Sequence, residues 1–436
     1  MPGRLSHRLN QSISTLIICI LTLTACGMLE VGIEPPATAT PGATAVDTTS
    51  PTRDTGQSVT PDAPTMLPSA PTISPTPPWG VELPGAVYLL STELSGTGRP
   101  RSVWRLDPGE TELERVTSPE LDIPSFDIWP ADGRIAYGTE NGRLYVHLPE
   151  QEPRLLYDAG LQAGSEVVVD SVVWSPEGER LAFSVRHLSQ DHTESKQDGL
   201  WLISLTDEIP LRLLSNQYLN ADASNVNEVR VISDPIWSPD GTALVLTGYY
   251  WEWTDILWLD PVAPDPVEAN LNESPGGLWL NGSWAADSQS ILLSGVNYSQ
   301  FGNLAFLRRD TDELELLVSG EAEGLFIYHA QELPAGVAFL ASDPAVLRET
   351  RLYLGHRTED GFVYAPAGPD HSLCSSGYVR DITWDPAGQF ALLSCSQGVQ
   401  LISLDGGVDV DLAPFLGPLA GEDSVETLWG PGRESD

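Results

Sequence analysis

The chain has 436 residues, 41% of them hydrophobic, and its 39 Gly and 36 Pro point to many turns around a sizeable core. With 61 acidic against 22 basic residues its formal charge is −39, which excludes a nucleic-acid partner because phosphate binding needs a basic surface. Four cysteines are too few for a disulfide-built scaffold, and no run of 18 or more apolar residues is present to span a bilayer.

Residues 1–25 read as an export signal. Arg4, His7 and Arg8 precede a short apolar stretch from Ile13 to Thr24, and small residues follow it. The segment Leu23-Thr24-Ala25-Cys26, with Gly27 after it, resembles the lipobox of bacterial lipoproteins. That resemblance implies cleavage before Cys26, acylation of its sulfur, and a protein anchored in the cell envelope on the extracytoplasmic side of a membrane. An ordinary secretory signal with a chance cysteine is the alternative.

Residues 26–84 follow as a linker without hydrophobic periodicity. From Pro35 to Gly80 there are 11 Pro and 11 Thr in 46 residues. Such a segment buries too little apolar area to offset its ordering entropy, so a disordered or extended stalk is expected.

From residue 85 to 436 one pattern recurs. Trp129-Pro-Ala-Asp-Gly133, Trp174-Ser-Pro-Glu-Gly178, Trp237-Ser-Pro-Asp-Gly241, Trp284-Ala-Ala-Asp-Ser288 and Trp384-Asp-Pro-Ala-Gly388 are copies, with a degenerate one at Glu332-Leu-Pro-Ala-Gly336. Successive copies lie 45, 63, 47, 48 and 52 residues apart, a period that suits a four-stranded propeller blade. Each copy ends a β-run in a tight turn and is followed by an alternating run, as Leu181 and Phe183 alternate with Ala182 and Ser184. Trp429 falls 45 residues after Trp384, in register but without following strands, whereas the runs at Val87, Val103 and Leu113 lack a leading strand. The fold predicted is therefore all-β: one propeller of four-stranded antiparallel blades, its ring closed by the C-terminal strand, which removes open sheet edges. Seven blades fit best, and the weak copy at Glu332 leaves six or eight open.

The Trp-Ser-Pro-Asp-Gly pattern with its following Leu-Ala-Phe resembles the TolB-like, or PD40-type, repeat related to WD40. The resemblance implies a propeller. It carries no partner or transport role, because that family has an α/β domain ahead of its propeller where this chain has the stalk.

Motifs for chemistry are sparse. Gly-x-Ser-x-Gly, His-Glu-x-x-His and Walker sequences are absent, so no catalytic residue and no cofactor is assigned. His187, Asp191 and His192 lie in a polar insertion that reads as solvated, and Asp405, Asp409 and Asp411 are spaced unlike an EF-hand loop, so no metal is assigned; a weak surface calcium site stays as the alternative for the latter three. Cys374 and Cys395 fall on one rim of the last blade, where an exported protein can hold a disulfide; two free thiols are the alternative. The long loops of that rim carry Tyr249, Tyr250, Trp251 and Trp253, with Trp279, Tyr298 and Phe301 in neighbouring connections. Exposed loop aromatics bind sugars or protein anchors, although packing between blades would explain half of them equally well. The expected function is a non-catalytic binding or scaffold module for a protein or glycan on the long-loop face. The alternative is a glycan hydrolase or lyase with carboxylates meeting at the channel mouth.

Overall fold

The computed structural model describes residues 80–92, 100–148, 151–160, 167–187, 198–215, 217–218, 229–249, 254–262, 267–268, 278–296, 301–374, 379–396, 398–416 and 425–431. All of them fall in the unit Pro71–Asp436. The signal, Cys26 and the stalk up to residue 79 lie outside the described residues.

Seven antiparallel sheets follow one another along the chain. Blade 1 orders β29(Glu426–Trp429), β1(Val87–Thr92), β2(Arg101–Leu106) and β3(Glu114–Arg115). Blade 2 runs from β4(Phe126–Trp129) to β7(Arg154–Asp158), blade 3 from β8(Val167–Trp174) to β11(Leu211–Ser215), and blade 5 from β17(Leu278–Trp284) to β20(Leu314–Val318). Blade 6 spans β21(Phe326–Leu333) to β24(Gly361–Ala367), and blade 7 spans β25(Val379–Trp384) to β28(Asp409–Asp411). Blade 4 differs: the short β12(Gln217–Tyr218) adds to β13(Val229–Trp237), which leads on through β14(Leu244–Tyr249) and β15(Thr254–Leu259) to β16(Val267–Glu268). The long interval between Trp174 and Trp237 accommodates this fifth strand.

The predicted closure is present. Trp429 pairs with Val87, Leu428 with Tyr88 and Thr427 with Leu89, antiparallel, so β1 has a neighbour on both sides. Packing closes the same seam, where Leu89, Trp104 and Leu106 of blade 1 share one buried cluster with Leu392 and Leu401 of blade 7. Six further clusters each combine two neighbouring blades, so the core is distributed between blades rather than gathered at a centre.

The repeat residues explain how a blade is turned and how it locks to the next. In blade 3 the Ser175 hydroxyl accepts from Arg180 N at 3.0 Å and donates to Arg180 O at 3.1 Å, bracing the turn that Gly178 N closes onto Ser175 O at 2.8 Å. Asp385 substitutes for that serine in blade 7, its carboxylate accepting from Gln389 N and Phe390 N. Gly178 has φ +71°, and a Cβ there would lie 2.2 Å from the Trp129 ring of blade 2. Trp129 Nε1 donates to Pro176 O at 3.2 Å, so this tryptophan sits on the turn of the following blade, whereas Trp284 Nε1 and Trp429 Nε1 donate to Ile236 O and Thr383 O of the preceding one. At the degenerate copy Glu332 has replaced tryptophan, and its carboxylate reaches back to Ala286 N of blade 5 at 2.7 Å. Blade 6 therefore keeps an interblade link through a different chemistry.

Candidate functional site: the channel mouth

The leading strand of each blade lines the central channel, and these strands are irregular where they do so. Bulges break the ladder between Asp170 and Val173 in β8, Ser233 and Ile236 in β13, Trp279 and Asn281 in β17, Tyr328 and Gln331 in β21, and Val379 and Asp381 in β25. A bulge adds a residue to one strand and re-aims its side chains. At three of them a non-glycine residue takes left-handed backbone: Ser171 (φ 51°), Asp234 (φ 51°) and His329 (φ 48°). Such conformations cost on the order of 1–3 kcal/mol and concentrate at functional sites.

Register turns these irregularities into a ring. Three residues before Trp174, Trp237, Glu332, Trp384 and Trp429 stand Ser171, Asp234, His329, Asp381 and Glu426. In blade 2 that position is Phe126, and the adjacent Asp127 supplies the carboxylate. A cavity of about 970 Å³ is lined by Asp127, Ser171, Asp234, Asp381 and Glu426 together with Arg101, Glu140, Asp170 and Arg186. Arg101 and Glu140 flank β1–β2 and β5(Arg134–Gly138), and Arg186 ends β9(Arg180–His187), all on the side of the loops between second and third strands. The cavity thus belongs to the long-loop rim.

Both arginines are already committed. Arg101 Nε lies 3.0 Å from Asp122 Oδ1 and its Nη2 2.7 Å from Glu140 Oε1. Arg186 Nη2 lies 2.7 Å from Asp170 Oδ2, and the same carboxylate accepts from the Ser184 hydroxyl. Asp127, Asp381 and Glu426 sit where their charged forms are disfavoured. Burial pushes Asp127 up to about 7, against the pull of the Trp174 and Ile128 amides that donate to it at 2.7 and 2.8 Å. Glu426 is raised to about 8, first by the surrounding channel wall, then by the negative charges of Asp381, Asp127 and Asp234, with Arg101 opposing. Glu426 is exposed to the channel, and the neighbouring carboxylates push it in the same upward direction. His329 Nδ1 lies 3.7 Å from Asp381 Oδ1, and burial shifts the two toward neutrality, His329 down and Asp381 up, each opposed by the other's charge.

The residues expected from sequence fare differently. Tyr249 ends β14 and Trp279 lies at the start of β17, both on the long-loop rim, and Phe301 is half-buried just ahead of β19(Gly302–Arg308). Tyr250, Trp251, Trp253 and Tyr298 lie outside the described residues, as do Asp191 and His192. Cys374 and Cys395 are joined by a disulfide with Cα atoms 5.5 Å apart. Asp405, Asp409 and Asp411 serve separate local bonds: Asp405 accepts from Ser403 Oγ, Asp409 from Gln400 Nε2 and Asp411 from Ala413 N. Among the described residues no three His, Cys, Asp or Glu side chains are grouped so as to hold a metal ion. No individual channel acid was singled out from sequence, although a polar residue three places before Trp174, Trp237, Trp384 and Trp429 was the available signal.

No family model and no curated protein matches the chain. Among solved structures it is similar to a puromycin-hydrolyzing peptidase of Mycobacterium tuberculosis, with a TM-score of 0.53 and 15% identity over 75% of this chain. The match spans about half of that peptidase, 51% of its length. TolB from Acinetobacter baumannii gives a TM-score of 0.44 at 14% identity, covering 80% of this chain and 67% of that one. The Cps50 (Swd1) β-propeller domain of Myceliophteria thermophila gives 0.43 at 13% identity, covering 66% and 85%. At such identities likeness speaks to fold alone, and with the seven closed sheets it makes this chain a seven-bladed β-propeller.

Proposed function

We propose that this propeller is a non-catalytic binding module, held outside the cytoplasm at the cell envelope by acyl chains on Cys26, that docks a protein or glycan over the channel mouth. The observation that carries this reading is the cavity of about 970 Å³ on the long-loop rim, walled by polar residues from several blades on a rigid ring. Peptide and glycan arrays probed with the purified full chain test it, with Asp381→Asn and Glu426→Gln variants run in parallel. Binding that weakens in these variants supports the channel mouth as the site; binding indifferent to both refutes it. Anchoring has its own test: Cys26→Ala should abolish incorporation of labelled palmitate and release the protein from membranes.

A second reading, a glycan hydrolase or lyase, draws support from Asp127 and Glu426. Carboxyl groups held protonated near neutral pH beside further acids are what general acid–base chemistry uses. Release of reducing ends or unsaturated sugars from an envelope glycan, lost in Glu426→Gln, would favour it over the binding module.

A further inference from the structure

We propose that the Cys374–Cys395 disulfide is a redox-sensitive strap on the channel mouth, its reduction by an external dithiol freeing the contact between His329 and Asp381. The two sulfurs come from different parts of one interblade joint. Cys374 lies on the connection from β24 to β25, and Cys395 ends β26(Phe390–Cys395). Both are buried, in a cluster that also holds Leu373, Val379 and Ile382, with Tyr328 packed against it. Blades 6 and 7 meet in that cluster, so the bridge stands inside their joint.

From each sulfur a short run of contacts leads to the channel mouth. On the blade 6 side Leu373, next to Cys374, bridges to Thr350 of β23(Val346–Thr358), its N–H donating to Thr350 O at 2.8 Å. Thr350 is fully buried, and its Oγ1 lies 2.5 Å from the Tyr328 hydroxyl. Tyr328 precedes His329 and meets its ring edge-on, with centroids 5.3 Å apart. On the blade 7 side Cys395 pairs with Val379, and the bulge that follows Val379 presents Asp381 to the cavity. The two runs end on each other, where His329 Nδ1 stands 3.7 Å from Asp381 Oδ1. The disulfide is the covalent cross-link in this circuit of contacts around the joint.

Backbone conformation supplies the tendency to move. Cys374 has φ 51° and His329 φ 48°, left-handed values that a residue with a Cβ keeps only where its surroundings hold it. These two residues stand at the two ends of the blade 6 run. Apart from the bridge, Cys374 is held by its N–H, which donates to Gln400 Oε1 at 2.7 Å, a weaker constraint than a covalent cross-link. Reduction therefore lets Cys374 relax, and the slack passes through Leu373 and Thr350 to Tyr328 and His329.

The chemistry is thiol–disulfide exchange. One thiolate of the dithiol attacks Cys374 Sγ, which is carried by a connection rather than a strand. The S–S bond breaks, a mixed disulfide forms, and Cys395 leaves as a thiolate that takes up a proton. The second thiol of the reductant then displaces Cys374. Two protein thiols and one oxidised, disulfide-bonded reductant result, with two electrons and two protons transferred to the protein.

The test compares the purified full chain, oxidised and in excess dithiothreitol, with a Cys374→Ser/Cys395→Ser double variant; it holds whatever the cavity binds. Alkylation and peptide mass mapping report whether Cys374 and Cys395 are free. Amide exchange is followed in residues 327–330 and 379–382, against β5 and β9 of blades 2 and 3. Exchange in the first two segments should quicken about tenfold on reduction, and in the double variant without reductant, while β5 and β9 stay within about twofold. Burial holds the His329 imidazole below the ordinary histidine value. By NMR titration, assigned through its loss in His329→Gln, it should rise toward about 6.5 once the strap is open, while His147 stays in place. Thr350→Val removes the hydroxyl that reaches Tyr328, so reduction should then still quicken 379–382 but change 327–330 no further; an undiminished response at 327–330 overturns the blade 6 route. Unchanged exchange and an unchanged His329 titration in the double variant overturn the proposal, whether or not dithiothreitol reaches the bridge in the folded protein. Equal loss of protection in β5, β9 and the two segments overturns it as well, because the disulfide is then a staple of the whole domain.

Discussion

Gly178→Ala tests the interblade lock most directly. The backbone at this position, φ +71°, costs an alanine about 1–2 kcal/mol. The added Cβ would lie 2.2 Å from Trp129 Cε2, so the ring has to move, at roughly 1–3 kcal/mol for overpacking. Displacing the ring also breaks the Trp129 Nε1 bond to Pro176 O, worth about 1 kcal/mol. Together these give a loss of about 3–6 kcal/mol. Gly109→Ala isolates the backbone contribution, because Gly109 has φ +81° with nothing within 4 Å of its built Cβ. Unfolding entropy near 2.1 cal/mol/K per residue gives roughly 0.7 kcal/mol per degree for a domain of about 350 residues. Thermal unfolding by circular dichroism should then show Tm lowered by about 4–9 °C in Gly178→Ala and by about 1–3 °C in Gly109→Ala. Tryptophan fluorescence should shift only in the former. If the two variants melt within a degree of each other, the contact between the turn and the preceding blade's tryptophan does not hold the ring.

Three further outcomes follow from the geometry. Asp127 and Glu426 have folded-state pKa values of about 7 and 8, above their unfolded values, so the native protein binds extra protons between roughly pH 4 and 8. Their stabilisation is complete below pH 4 and is lost as pH rises through 7 to 8; scanning fluorimetry from pH 5 to 9 should show Tm falling, with a flatter profile in Glu426→Gln, and an unchanged slope in that variant would contradict the assignment. Trp429→Ala removes a buried ring and its bond to Thr383 O at 3.1 Å, and should cost about 3–5 kcal/mol while speeding amide exchange at Val87 to Leu90; normal protection there would mean the seam is not held by this strand. Intact mass should rise by about 2 Da on reduction of the Cys374–Cys395 bridge, and Cys395→Ser should lower stability by about 3 kcal/mol; two thiols reactive without reductant would refute the pairing.

The blades were legible because their determinants are local. A small polar residue to brace the turn and a glycine at positive φ recur at one spacing and act within a few residues of themselves, and the tryptophan that recurs with them marks each copy while reaching a neighbouring blade. Closure was legible for the same reason, since Trp429 keeps the spacing while its following strands stand at the other end of the chain. The fifth strand of blade 4 was hidden in an interval that reads only as a longer loop. The channel acids were illegible for a deeper reason: Asp381 or Glu426 in a strand looks like any solvent-facing residue until seven leading strands converge. Only the assembled ring makes neighbours of residues as far apart in sequence as Asp127 and Glu426, and only then do their charges oppose one another.

The closing strand has a mechanical corollary. Tension entering the domain from its N-terminal side reaches β1, which is paired along its length with β2 and over Val87 to Leu90 with β29. A pull parallel to a strand held on both flanks loads its rungs together in shear rather than unzipping them one after another. A ring sealed in this way is suited to bearing strain through its first strand without shedding a blade.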